Sequence, residues 1–129
     1  MKKVIKTVEE LYGRKDGTGE VILDEMAECL RKTRIIAVAD LAVLMDVDAH
    51  QLNQAVHLLT GMTTRDIINR WRLLQARDLL AASSDGVAKK GCRDDRIRLL
   101  NAVARRCGWL SYRVLLKVAH RYGVKLEIL

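Results

Sequence analysis

Five side chains between positions 50 and 57 can donate and accept hydrogen bonds while carrying little charge: His50, Gln51, Asn53, Gln54 and His57. They interleave with Leu52, Ala55, Val56 and Leu59, whose spacing lines one face of a helix and leaves the polar set on the other. Asn and Gln pair bidentately with the adenine edge in the DNA major groove, each good contact being worth about 1–3 kcal/mol of discrimination. The same face would also suit a protein contact or plain solvation. Residues 35–62 contain three acidic and no basic side chains, so this stretch cannot hold a phosphate backbone by itself. Other chemistries find no support. His50 and His57 lie seven apart on one face, but no third ligand has matching spacing, so no metal is expected. There is no Ser/His/Asp or Cys/His arrangement, no phosphate-cradling Gly loop and no carboxylate pair with a cleft. Neither catalysis nor a cofactor is expected.

Cations that could grip phosphate flank the polar face. Arg65, Arg70 and Arg72 follow it directly, and Lys89, Lys90 and Arg93 come later. A denser basic set comprises Arg105, Arg106, Arg113, Lys117 and Arg121. The chain carries a formal charge of +7, and residues 87–129 hold eleven basic against three acidic side chains. A polyanion would feel that third of the chain most strongly. Separating phosphate grip from base reading is physically reasonable, because backbone contacts position a protein while base contacts specify sequence.

These side chains need elements to position them. The chain has 129 residues, half of them hydrophobic, with no Pro and no Phe. That suits one domain, or two very small ones sharing a core, with a strong helical bias. No 18-residue apolar run exists, and MKKVIKTVEELYG has charges where a signal peptide needs apolar residues. Cys29, Cys92 and Cys107 lack metal-ligand pairing and read as reduced thiols of a cytoplasmic protein. Residues 1–19 form a flexible segment with one short helix around Val4–Tyr12. Helices are then expected near Glu20–Lys32, Val38–Met45, Asp48–Gly61, Thr64–Ala82, Asp95–Cys107 and Tyr112–Tyr122. Asp48 with Gln51, and Thr63 with Asp66, have capping-box spacing. SSDGVAKKGCR, residues 83–93, reads as a polar linker. No strand pattern occurs, so the class is all-α.

A pattern repeats at an offset of 62 residues. Leu41 meets Val103, Ala42 meets Ala104, Val47 meets Trp109, Leu52 meets Val114, Val56 meets Val118 and Gly61 meets Gly123. Each copy reads as a short helix, a tight turn and a second helix. Ala42 or Ala104 would let helices cross closely, and Asp46 or Gly108 would take the left-handed turn position. An apolar residue after the turn and another five residues on would lock the second helix. This is the pattern of the helix-turn-helix, whose second helix lies in the DNA major groove. Between the copies a helix of about 19 residues would span just under 30 Å. That is close to the ~34 Å between successive major grooves on one DNA face. The organisation expected is 1–19 flexible, 20–62 first subdomain, 63–82 connecting helix, 83–93 linker and 94–129 second subdomain.

The sequence resembles the DNA-binding domain of the AraC-type transcription regulators. The likeness rests on Asp40-Leu41-Ala42, on TGMT at 60–63, and on WRLLQARDLL at 71–80, where Arg72, Ala76, Leu79 and Leu80 match the family's connecting helix. AVARRCGW at 102–109 and RYGV at 121–124 carry it through the second unit. The resemblance implies two homeodomain-like helix-turn-helix subdomains joined by a long helix. It also implies sequence-specific binding of double-stranded DNA at promoters by a bacterial, nucleoid-associated protein, with RNA polymerase as a further partner. By position, the first unit would read bases with His50, Gln51, Asn53, Gln54 and His57. The second would use Tyr112, Arg113 and Lys117, with His120 beside them. Arg65, Arg70, Arg72, Lys89, Lys90, Arg106 and Arg121 would hold phosphates. The chain is expected to work as a monomer on DNA, with no membrane partner. The second segment looks one residue short of the family's, and Val114-Leu115-Leu116 makes it unusually apolar. Exposure of Leu115 and Leu116 would instead create a self-association surface, on a protein-interaction module that has lost DNA reading.

Overall fold

The computed structural model describes residues 5–14, 16–82 and 93–126. Among these residues the fold is all-helical, with seven helices: α1 (Val8–Gly13), α2 (Val21–Lys32), α3 (Val38–Leu44), α4 (Ala49–Thr60), α5 (Thr64–Ala82), α6 (Arg93–Arg106) and α7 (Tyr112–Arg121). Two compact units form, Met1–Trp71 and Arg72–Leu129, so α5 contributes its first residues to one and the rest to the other. Most of the expected 83–93 linker, with Lys89, Lys90 and Cys92, lies outside the described residues.

In the first unit α2, α3 and α4 pack on one another. Their buried faces carry Leu23, Met26, Ala27 and Leu30, then Leu41 and Ala42, then Leu52 and Val56. Within the segment expected to be flexible, residues 5–11 carry a buried face. Ile5, Val8 and Leu11 are 0–2 % exposed, and Thr7 caps α1 by accepting the Glu10 N–H. The ring of Tyr12 meets Trp71 edge-on at 5.0 Å. Apolar burial, which stabilises by roughly 25 cal/mol per Å², favours packing of Ile5, Val8 and Leu11. The Gly-rich loop is tied down too. Thr18 donates from N and Oγ1 to Asp24 Oδ1 at 2.7 and 2.9 Å, and these bonds hold the Asp24 carboxyl below the usual range despite the opposing effect of desolvation. Gly17 sits at φ +81°, where a Cβ would lie 3.1 Å from the Asp24 carboxylate, so the close approach needs glycine.

In the second unit α6 packs on α7. Its core gathers Leu73, Ala76 and Leu80 of α5, Leu100, Val103 and Ala104 of α6, Cys107, Trp109, and Leu115 and Ala119 of α7. Burial pushes the Cys107 thiol up to about 11, as suits a packing residue.

The 62-residue repeat is visible in the backbone. After α3 the Asp46 N–H donates to Val43 O at 3.1 Å and the Val47 N–H to Ala42 O at 3.0 Å. After α6 the Gly108 N–H donates to Arg105 O at 3.2 Å and the Trp109 N–H to Ala104 O at 2.9 Å. Each pair is a Schellman motif, with the residue past the C-cap in the left-handed region: Asp46 at φ +55° and Gly108 at φ +99°. Ala42 and Ala104 are both buried, as close helix crossing requires. Asp46 is the one non-glycine with positive φ among the described residues. A left-handed L-residue costs roughly 1–2 kcal/mol, less for Asp. Asp46→Gly is therefore expected to raise stability by up to about 1 kcal/mol, and Asp46→Ala to lower it. The midpoint of urea denaturation followed by circular dichroism checks both. If Gly is no better than Ala, backbone strain does not govern this turn.

The gapless offset ends at the turn. Asp48 caps α4 by accepting the Gln51 N–H at 3.2 Å. The N-cap of α7 is Ser111, which lies 63 residues on. The extra residue is Leu110, 87 % exposed. Ser111 makes no side-chain capping bond; Asn101 Oδ1, reaching from α6, accepts the Tyr112 N–H at 2.9 Å instead. The helix that follows is turned by one residue relative to the sequence repeat. Leu115 and Ala119 are buried where Val114 and Val118 were expected to lock the helix, and Val114 and Val118 are half-buried. Leu115 and Leu116 pack on the second core, so they do not form the exposed pair that self-association would need.

Candidate nucleic-acid interface

The first unit brings most of its predicted face together. His50, Gln51, Asn53, Gln54 and His57 are all exposed on α4. Leu52, Val56 and Thr60 occupy the buried side of the same helix, which sets that orientation. His50, Asn53, Gln54 and His57 line one groove of about 560 Å³, together with Val38 at the start of α3 and Thr63 and Arg65 at the start of α5. Positions 50, 53, 54 and 57 form one stripe at about 100° per residue. Gln51 falls outside the groove, on the flank that also carries Leu58, 58 % exposed. Val38 and Thr63 were not anticipated as part of this surface. Thr63 was legible as a cap, and it does accept the Asp66 N–H at 3.1 Å, but its place beside α4 comes from the tertiary fold.

Of the cations predicted to hold phosphate, Arg65 shares the groove with the amide side chains and is exposed. Arg70 is half-buried. Arg106 and Arg121 are exposed, as is Arg105. Lys89 and Lys90 lie outside the described residues. Arg72 is corrected. It is fully buried, its Nη1 donates to Gln75 Oε1 at 2.8 Å, and burial lowers its guanidinium to about 10. A group taken out of water in this way is not presented to a backbone phosphate, and Arg72 is a structural residue of the second unit. The signal was present: Arg72 lies on the i, i+4 stripe of Ile68, Ala76 and Leu80, all buried.

Three residues of the second unit were named from the sequence as candidate base readers. Tyr112 is half-buried against the core. Arg113 and Lys117 are exposed, and so is His120. With Asp48 and Ser111 aligned as N-caps, Arg113 stands where His50 stands in the first unit, Leu116 where Asn53 stands, Lys117 where Gln54 stands and His120 where His57 stands. The corresponding stripes thus carry two amides and two imidazoles in one unit, and Arg113, Leu116, Lys117 and one imidazole in the other.

Among the described residues no group of three or more His, Cys, Asp or Glu side chains could hold a metal ion. No helix among them is long and apolar enough to cross a membrane. No protein-family model, curated protein or solved structure matches the chain.

Proposed function

We propose that the protein is a bipartite helix-turn-helix regulator that binds double-stranded DNA by sequence, with α4 and α7 as recognition helices. One observation carries this: the same Schellman turn, 62 residues apart, precedes two helices whose equivalent stripes expose hydrogen-bonding side chains, His50, Asn53, Gln54 and His57 in one and Arg113, Lys117 and His120 in the other. The second helix of a helix-turn-helix enters the major groove, where its side chains meet base edges. His50, Asn53, Gln54 and His57 would read bases in the first unit, and Arg113 and Lys117 in the second, with His120 beside them. Gln51, on the flank of α4, and Tyr112, packed on its core, are weaker candidates. Arg65, Arg106 and Arg121 would hold phosphates and supply the salt-dependent part of the affinity. Transcription regulation, with RNA polymerase as a second partner, follows from the AraC-type resemblance.

The competing reading, an interaction module that no longer reads DNA, draws on the apolar run of α7 and on the acidic first unit, whose residues 35–62 hold three acidic and no basic side chains. Burial of Leu115 and partial burial of Val114 and Leu116 account for that run by packing alone. Selection from a random duplex pool at several salt concentrations tests the proposal. Enrichment of a shared motif that survives physiological salt is expected. Weak binding without enrichment, lost by physiological salt, would overturn it.

A further inference from the structure

Helix α4 carries no Lys or Arg, and its groove-lining stripe is His50, Asn53, Gln54 and His57. The side chains that read guanine best are Arg and Lys, which donate to its O6 and N7; those that read adenine bidentately are Asn and Gln, at N6 and N7. Helix α4 itself therefore lacks the guanine readers and holds two adenine readers side by side; the guanidinium in its groove, Arg65, comes from the start of α5, where it is assigned to phosphate. The groove wall adds Val38, an apolar side chain suited to the methyl group of the thymine that pairs with adenine.

The one-residue shift caused by Leu110 gives the second unit the opposite chemistry. It buries Leu115 and Ala119 and turns Arg113 and Lys117 outward, at the positions of His50 and Gln54. Both are donors without an acceptor, and both match the two acceptors of guanine. In the unshifted 62-residue register, Leu115 would have taken the place of Asn53, Leu116 that of Gln54 and Ala119 that of His57, leaving Tyr112 as the stripe's one polar side chain.

We infer that the DNA site is composite: adenine–thymine pairs are read under α4 by Asn53 and Gln54, and guanine is read under α7 by Arg113 and Lys117. The inference rests on the proposed DNA-binding function and names the bases each unit reads. It also divides the energetics. The α4 contacts involve no full charge and add specificity with little salt dependence, whereas the α7 contacts add both.

The test begins with the duplex selected from the random pool by the full chain. Replacing single adenines by 7-deaza-adenine, and single guanines by 7-deaza-guanine, removes one acceptor without touching the protein. Some adenines and some guanines should each lower affinity on the order of 10-fold or more when so replaced. Asn53→Ala should abolish the effect at the adenines only, and Arg113→Ala at the guanines only. The double variant His50→Arg, Gln54→Lys, which copies the α7 stripe onto α4, should exchange an adenine for a guanine in a repeated selection. A motif is expected to emerge in every case. If a motif emerges but its adenines are insensitive to Asn53→Ala and Gln54→Ala, or its guanines to Arg113→Ala and Lys117→Ala, the base assignment is overturned and DNA binding stands. If no motif emerges at all, both fall.

Discussion

Trp71→Ala is expected to cost about 3–5 kcal/mol and to unfold the first unit under conditions where the parent is folded. Trp71 is 0 % exposed, Tyr12 meets it edge-on, and the Arg31 guanidinium stacks 5.5 Å from its ring centroid. Arg31 is held there from its far end, where Nη2 donates to Arg14 O at 2.9 Å. Truncation removes all of these contacts and leaves a cavity that α1, α2 and α5 would have to close. Among the described residues the indole N–H has no hydrogen-bond partner, so the loss is one of packing, and Trp71→Phe should cost distinctly less. The chain contains two tryptophans, one in each unit. In Trp71→Ala, Trp109 fluorescence therefore reports the second unit while circular dichroism reports both. Loss of part of the helical signal at a denaturant concentration that leaves Trp109 fluorescence native is the expected result. An unchanged denaturation midpoint would mean that Trp71 does not anchor the N-terminal segment.

Arg106→Ala with Arg121→Ala is expected to weaken DNA binding nearly equally for all sequences. The plot of log affinity against log salt should become shallower by about 2, because each neutralised phosphate contributes roughly 0.9 to its slope. Both guanidinium groups are exposed; Arg106 is on α6, and Arg121 ends α7 one turn beyond Lys117. Asn53→Ala, at a neutral position, should leave the slope unchanged while relaxing sequence preference. Titrations at four or five salt concentrations, on the selected duplex and on a scrambled one, separate the two behaviours. If the double variant changes preference and not slope, Arg106 and Arg121 read bases, and the division between gripping and reading is wrong.

Much of the architecture was legible before the structure. Helix α5 runs over Thr64–Ala82, where Thr63 announced its start by cap chemistry. The turn after α3 followed from Ala42 and Asp46, since a left-handed residue after a small one has few alternatives. The shift at Leu110 was not legible, because Val114, Leu115, Leu116 and Val118 offer an apolar stripe in either register. Only packing against α5 and α6 decides that Leu115 and Ala119 go inside. Tyr112 is half-buried for the same reason. The short helix expected around Val4–Tyr12 is α1, but its burial was hidden by length: Ile5, Val8 and Leu11 are too few to establish a period, and their neighbours are polar. In the candidate site, the exposed set on α4 was read from its apolar complement, whereas the groove formed with Val38, Thr63 and Arg65 depends on contacts distant in sequence.

The bond from the Tyr112 N–H to Asn101 also sets how mutations in this protein would be misread. α4 starts from its own cap, so damage to Asp48 stays local. α7 borrows its cap from α6, and a change at Asn101, eleven residues away, frays the start of the helix that carries Arg113. In a genetic screen scored by promoter output, Asn101 would be recovered alongside Arg113 as though it touched the same base. Restoring an acceptor at Ser111, for instance by Ser111→Asp, should suppress the first lesion and leave the second, which tells a scaffold residue from a reader without any structure of the complex.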